Sequence, residues 1–446
     1  MASTYLTKTL TTPTSDKIFT FSAWVKRSAL GSEGYVFTIG SNGGSSPSHY
    51  YSIRYANEKI YVQRSGTGQL ITNAVYRDLS AWYHIVLTND TTQATDSNRI
   101  KLYVNGELAS LGTATYPSQN TILDGINGAR CALGLTYSGT GNYFDGLMTH
   151  IHFIDGTAYD ADTFGETDAT TGIWKPKTAP SVTYGTNGFF LKGENSGALG
   201  TDSSGEGNDF VVNGTPTQTV DTPSNVFCVL NPLQSIAHPS YTNGNTKCGS
   251  SSDNDRAIGT IPSQSGYYEV KLVQAPVGGS GSGLIWGVYD VSNNPALTLA
   301  SQRWFKTNYG YDTHYATINF GEGNSWENQT TGLTASAGDI LMMAWKNGKL
   351  YAGYNGTWFF GANPSTDTDG SVQMLLADAN AYQAPLGRSN LSGLTNAEFN
   401  FGNGFFGTTA VTTNSGSGYS DSNGEGIFNY QPPTGTYACC TKNLNT

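Results

Sequence analysis

Residues 82–110 read WYHIVLTNDTTQATDSNRIKLYVNGELAS. Tyr83, Ile85 and Leu87 alternate with Trp82, His84 and Val86, the two-residue period of a β-strand with bulk on both faces. That pattern predicts a strand covered on both sides or placed near a sheet centre. After a Thr- and Asp-rich loop, Ile100, Leu102 and Val104 alternate again and the run breaks at Asn105-Gly106. Both residues of that pair tolerate the positive φ of a type I′ hairpin turn, so the stretch reads as an antiparallel meander.

The pattern recurs along the chain. KIFTFSAWVKRS places Phe19, Phe21, Ala23 and Val25 on one face and Thr20, Ser22, Trp24 and Lys26 on the other. YFDGLMTHIHFIDGTAY places Leu147, Thr149, Ile151 and Phe153 on one face. GYYEVKLVQA, GSGLIWGVYD and GDILMMAWKNGKLYAGYNGTWFF repeat the theme, the last with turns at Asn347-Gly348 and Asn355-Gly356. The 55 glycines and 27 tyrosines suit short strands and tight turns. A charged fraction of 13%, with Leu, Lys and Glu scarce, argues against helical bundles, whose exposed faces are built from those residues. YDADTFGE is expected to make one short turn.

The expected class is all-β. At 446 residues the chain exceeds one ordinary core, so two antiparallel jelly-roll-like sandwiches are expected. The Gly-, Ser-, Thr- and Asp-rich texture after Thr183 sets the divisions at residues 1–195, an extended connector at 196–225, and a second sandwich at 226–446. Pro432-Pro433 cannot sit in a sheet centre, so the C-terminal stretch should run outside the second sandwich as an irregular strap.

The formal net charge is −10 and no Lys/Arg cluster occurs, which argues against a nucleic-acid partner, because a groove that tracks phosphates needs clustered cations. No apolar run reaches the roughly 18 residues of a membrane span. The first residues lack a basic and an apolar segment of the secretory kind, so a soluble chain made in a cytoplasm is expected. Cys131, Cys228, Cys248, Cys439 and Cys440 match no zinc spacing and are expected to be free thiols.

Candidate chemistry is sparse. His150 and His152 would share a face under strand alternation, yet two imidazoles are half of a zinc ligand set, and a structural role is the plainer reading. Calcium is the cation the acidic loops would suit, with Asp90 and Asp96 in one loop and Asn142 with Asp145 in another. No dense Asp/Asn ladder supports it, and Asp145-Gly146 reads equally as a turn. A retaining glycosidase needs two carboxyls roughly 5–5.5 Å apart, and the strands contribute almost no acids. The expectation is therefore no catalysis. RWFKTNYGYDTHY reads as an aromatic loop: Trp304, Phe305, Tyr309, Tyr311, His314 and Tyr315, with Trp358 beyond a turn, form either a ligand surface or core packing.

Taken in order, FTFSAWVKRS, WYHIVLTND, IKLYVNGELAS and YFDGLMTHIHFIDGTAYDADTF resemble the concanavalin-like lectin/laminin-G-like sandwich over about residues 1–165. GYYEVKL, LIWGVYD, GDILMMAWKNGKLYAGYNG and FNFGNGFF resemble a SPRY domain over about residues 255–405. In that fold the loops at one sandwich edge form the binding surface, which favours the aromatic run. LGTDSSGEGNDFVVNGTPTQTVDTPSNVFCVLNP and FNYQPPTGTYACCTKNL resemble segments that accompany such domains in virion proteins of marine tailed phages. The combined resemblance implies a virion component, a tail fibre, head fibre or decoration protein assembled in the host cytoplasm. It would oligomerise, with a trimer the expected state, contact other virion proteins and present a surface to host glycans. Two rival readings are a polysaccharide-degrading enzyme and an intracellular SPRY-type peptide-binding adaptor.

Overall fold

The structure is a computed structural model that describes residues 4–40, 50–65, 68–123, 126–234, 240–249, 256–274, 283–292, 302–308, 317–322, 325–327, 335–370, 376, 380–390, 397–411 and 418–444. For 68, 234, 256, 283, 285, 302–308, 317–322, 325–327 and 386–390 it describes only the course of the backbone. The chain divides into two units, Met1–Gln218 and Thr219–Thr446. Among the described residues there is no α-helix, only strands, turns and short 3₁₀ segments, one of them at Ala161–Thr163 in the expected short turn. Among the described residues no helix is long and apolar enough to cross a membrane.

The first unit packs an eight-stranded sheet on a six-stranded one. Ile18–Arg27 lies at the centre of the smaller sheet, antiparallel to both Tyr83–Asp90 and Gly146–Asp155. Its alternation is realised as expected: Phe19, Phe21, Ala23 and Val25 enter the inter-sheet core with Ile85, Leu87, Ile100 and Leu102. Each such Phe, Val, Ile or Leu side chain, fully buried, contributes about 1.5–3 kcal/mol of transfer free energy. From the larger sheet, Tyr51, Ile53 and Tyr55, then Ile60 and Val62, meet them. Asn105 (φ 52) and Gly106 (φ 88) make the predicted hairpin turn. Tyr83–Asp90 is covered on both faces as its two-sided bulk required, since His84 and Val86 are also fully buried.

The strand Gly146–Asp155 departs from simple alternation. Thr149 pairs with Trp24 and His152 with Ser22, so His150 and Ile151 both face Ala23 in a β-bulge, with His150 at φ 47. The expected face of Leu147, Thr149, Ile151 and Phe153 is therefore split. Met148, Ile151 and Phe153 turn to the core, whereas Leu147 and Thr149, paired with Lys26 and Trp24, lie on the opposite side. The stretch beyond residue 195 is not a free connector along its length. Val211–Asn213 adds an edge strand beside Tyr5–Thr9, and Asp202 accepts N–H bonds from Phe190, Ser204 and Asn208. The division falls inside the expected 196–225 stretch, after Gln218.

The second unit repeats the sandwich with a seven-stranded and a six-stranded sheet. Tyr268, Val270 and Leu272 from one sheet meet Leu284, Trp286 and Val288 from the other. Asn347-Gly348 and Asn355-Gly356 turn with positive φ at all four residues, as expected. Gln302–Asn308 corrects the expectation of an aromatic loop, because it is a strand paired on both sides, with Gly283–Asp290 and Thr317–Glu322. The C-terminal segment lies outside the larger sheet. Tyr267 N–H donates to Tyr437 O, and Phe428, Ala438 and Cys440 bury Tyr267, Met342 and Ala344. All five cysteines are free.

Candidate functional site

The sequence-predicted ligand residues are not brought together as one site by the described residues. Trp304 and Phe305 belong to the strand just named. Tyr309, Tyr311, His314 and Tyr315 lie outside the described residues. Trp358 is half-buried, its ring 6.4 Å from that of Tyr267 in an edge-on contact, against the layer formed by the C-terminal segment.

The calcium candidates do not form a cage. The Asp90 carboxylate accepts the N–H and hydroxyl of Thr92 and the amide of Gln93. Burial works against its charge, but those donors outweigh it and hold the acid below the usual carboxylate range. Asp96 is exposed and accepts the N–H of Ser97. Asn142 directs its amide N–H to Glu33 at 2.8 Å. Burial pushes the Asp145 carboxyl up, against the ionised form a cation needs. Among the described residues no three His, Cys, Asp or Glu side chains converge as metal ligands.

His150 and His152 are separated in environment by the bulge. His150 is half-buried and its Nδ1 lies 3.1 Å from Thr149 Oγ1. His152 is buried, stacked on Phe190 at 3.9 Å, with Nδ1 3.0 Å from the Tyr184 hydroxyl.

One surface does gather groups suited to recognition: the outer face of the eight-stranded sheet in the first unit. Along Tyr50–Ala56 and Lys59–Arg64 the residues between the core positions point away from the sandwich, which exposes Tyr50, Arg54, Tyr61 and Gln63 in part. Arg54 and Tyr61 are direct cross-strand partners, and Tyr35 is the partner of Arg54 on its other side. The guanidinium therefore lies between two rings, 5.5 Å from the centre of Tyr35 and 5.2 Å from that of Tyr61. Its Nη1 donates to Gln63 Oε1 at 2.7 Å and its Nε forms a 2.5 Å ion pair with Glu33, although the N–H is not aimed along that line. Glu33 is held in turn by Asn142.

Beside this group Tyr50 and Tyr137 stack in parallel, ring centres 4.0 Å apart and 16° between planes, with Tyr35 edge-on to Tyr137 at 5.9 Å. Burial and then the neighbouring Tyr137 push the Tyr50 hydroxyl up to about 12, so it stays protonated and able to donate. The result is a platform of half-exposed rings, Tyr50, Tyr61 and Tyr137, with fixed polar edges, backed by the buried Tyr35 and held by charge pairing. Flat apolar faces with adjacent donors suit the C–H face of a sugar ring or an aromatic anchor of a protein partner. Sequence reasoning did not select these tyrosines, since Tyr137 reaches the platform from a Gly- and Ser-rich loop with no period of its own. The available signal was the YYSIRYANEKIYVQ pair, whose outward positions are Tyr50, Arg54 and Tyr61 once Tyr51, Ile53 and Tyr55 are assigned inward.

Residues 2–162 match the family model of the concanavalin A-like lectin/glucanases superfamily. Among solved structures, the SPRY domain of human HERC1 is similar at 14% identity, over 38% of this chain and 96% of that one, with a TM-score of 0.27. Domains LG4-5 of the mouse laminin alpha1 chain are similar at 10% identity, over 88% and 84% of the two chains, with a TM-score of 0.29. The native heptameric SAP-like pentraxin from Limulus polyphemus is similar at 15% identity, over 34% and 70%, with a TM-score of 0.25. A search of curated proteins found no match.

Proposed function

We propose that this chain is a non-catalytic binding protein whose first unit engages glycans through the face of Tyr50, Arg54, Tyr61 and Tyr137, backed by the buried Tyr35. The observation that carries the reading is the half-exposed Tyr50–Tyr137 stack beside a guanidinium fixed between two more rings. The acid of this face, Glu33, is committed to Arg54 and Asn142, which supports recognition rather than bond cleavage. The match of residues 2–162 to the concanavalin A-like lectin/glucanases superfamily supports a carbohydrate as the ligand.

At the level of the whole chain the reading is a surface appendage of a tailed-phage particle, present in repeated copies and set among other virion proteins. Its support is the sequence resemblance of the joint and of the C-terminal stretch. A glycan array probed with the purified chain tests the first part: wild type binds, and the Y50A/Y137A double variant loses at least tenfold in affinity. Release of shortened oligosaccharides by the purified chain would overturn the reading in favour of an enzyme. Mass spectrometry of purified particles tests the second part, and recovery of the chain only from host cytoplasm would favour the adaptor.

A further inference from the structure

The other outer face of the first unit, that of the six-stranded sheet, is covered by residues 156–185. Val86 and Ile154 from the sheet pack there with Ala161, Phe164, Trp174 and Tyr184 from the covering segment. Trp174 Nε1 lies 3.0 Å from His84 Nδ1. An indole N–H can only donate, so Nδ1 of His84 must accept, and its single proton sits on Nε2, 2.9 Å from Ser22 Oγ. A doubly protonated His84 would set one N–H against another at that contact. The second tie is between Tyr184 and His152, whose Nε2 is buried with no partner among the described residues. A charge on that ring would have no acceptor at Nε2. Both polar ties of aromatic side chains from the cover thus end on imidazoles, His84 held neutral by the indole donor and His152 offered no acceptor for a proton at Nε2.

The charged surroundings offer little relief. His150 stands close enough to both rings for its charge to oppose theirs. Beside His150 lie Lys192, which opposes a further positive charge, and Glu194, which favours one. On the central strand the same face carries Thr20, Ser22, Trp24 and Lys26, and His84 stacks on Trp24 at 4.8 Å. From the cover, Asp160 is bound to the Tyr103 hydroxyl at 2.7 Å, and Tyr159 is tied through its carbonyl to Thr88. Asp155, at the end of the bulged strand, is committed to Thr14, Ser15 and Asn187. Burial draws all three imidazoles below their ordinary range, His84 to about 3.

We propose that residues 156–185 are an acid-released cover: protonation of the imidazoles beneath it detaches it from the sheet and bares His84, Val86 and Ile154. The inter-sheet core lies on the other side of the sheet and is packed from apolar and aromatic side chains, so it outlasts the release. Because the folded-state values are depressed, the closing contribution is complete above the ordinary imidazole value and is lost as pH falls below about 6.5. More than one ring takes up a proton, which makes the opening steeper than a single titration.

Hydrogen exchange on the full chain from pH 7.5 to 4, corrected for the intrinsic pH dependence of amide exchange, tests this. Protection of 157–184 should fall more than tenfold per pH unit in the opening range, while Ile18–Arg27 stays protected. The His84→Gln/His152→Gln variant should flatten that slope to at most tenfold per unit. If the variant does not fold, titration of the imidazole resonances in the wild type decides: depressed values tracking the loss of protection support the proposal. Protection of the cover that does not change with pH, or loss in one step together with the central strand, overturns it.

Discussion

The buried carboxylate of Glu269 accepts the backbone N–H of Tyr430 at 2.8 Å, and that of Asn429 at 2.9 Å. A fully buried acid in the strand Gly266–Leu272 thereby fastens the C-terminal segment to the sheet it covers. Tyr267 Oη, at 3.0 Å, and the Asn400 amide, at 3.3 Å, complete its set of donors. Four donors from three separate parts of the unit explain how one carboxylate tolerates such depth.

This acid should leave a signature in the pH dependence of stability. Burial pushes its carboxyl up to about 7 against the pull of the four donors, from an ordinary value of 4.5. The folded state therefore binds the proton more tightly than the unfolded one. The associated stability is fully present below about pH 4.5 and is lost as pH rises through 7, about 3 kcal/mol at roughly 1.4 kcal/mol per unit. Urea titrations of the full chain at steps between pH 4.5 and 8 should show the second unit weakening over this window. Glu269→Gln should remove the trend and cost about 1–3 kcal/mol at low pH, since its NH₂ meets donors. An equal trend in the variant would assign the effect to another group.

Each unit is also closed by an aspartate in the same hexapeptide frame, DSSGEG at 202–207 and DSNGEG at 421–426. Asp202 accepts from Phe190, Ser204 and Asn208 N–H, and Asp421 from Asn423, Glu425 and Ala438 N–H and the Asn443 amide. Removing either carboxylate strands several N–H groups, a loss of about 2–3 kcal/mol. Asp202→Ala should lower one thermal transition of the full chain and Asp421→Ala the other, as read by calorimetry. Both variants shifting the same transition would refute the assignment of one clasp to each unit.

On the tyrosine platform, binding and stability should separate. Tyr50 and Tyr137 are half-exposed and stacked on each other, so truncating both costs the stack, about 0.5–1.5 kcal/mol beyond area, while the inter-sheet core is untouched. Arg54→Lys keeps the charge but loses the planar group held between Tyr35 and Tyr61. Titration calorimetry with a glycan found on the array should show R54K weakened at least fivefold with a melting shift of only a few degrees. A loss of binding that simply follows a loss of folded protein would make these residues structural.

Much of the architecture was legible because burial on both faces leaves a two-residue mark. Phe19, Phe21, Ala23 and Val25, and the pairs around His84, were placed correctly from that mark alone. It failed at His150, where one extra residue inverts the faces on either side of a bulge and no periodicity announces it. It failed again at Gln302–Asn308, where aromatic and polar residues looked like loop yet pair on both sides. The platform was missed for a different reason: Tyr50 and Tyr137 are 87 positions apart, and their contact is made by the path of a loop rather than by local pattern.

The turn at Asn105-Gly106 allows a separation of backbone strain from crowding. Gly106 sits at φ 88, and a Cβ there would lie 3.0 Å from the ring of Trp174, the residue that donates to His84. Gly31 has a similar φ of 76 with nothing within 4 Å of such a Cβ. Gly165 is not in the left-handed region, yet its Cβ would run into the same indole. Gly31→Ala should therefore cost only the left-handed strain, about 1–2 kcal/mol. Gly165→Ala should cost the crowding, about 1–3 kcal/mol, and Gly106→Ala both. Urea unfolding gives the three costs, and tryptophan fluorescence should change in Gly165→Ala and Gly106→Ala but not in Gly31→Ala. Equal costs at Gly31 and Gly106 with unchanged fluorescence would mean that the indole yields freely, and that the cover is tied at Trp174 more loosely than its hydrogen bond to His84 implies.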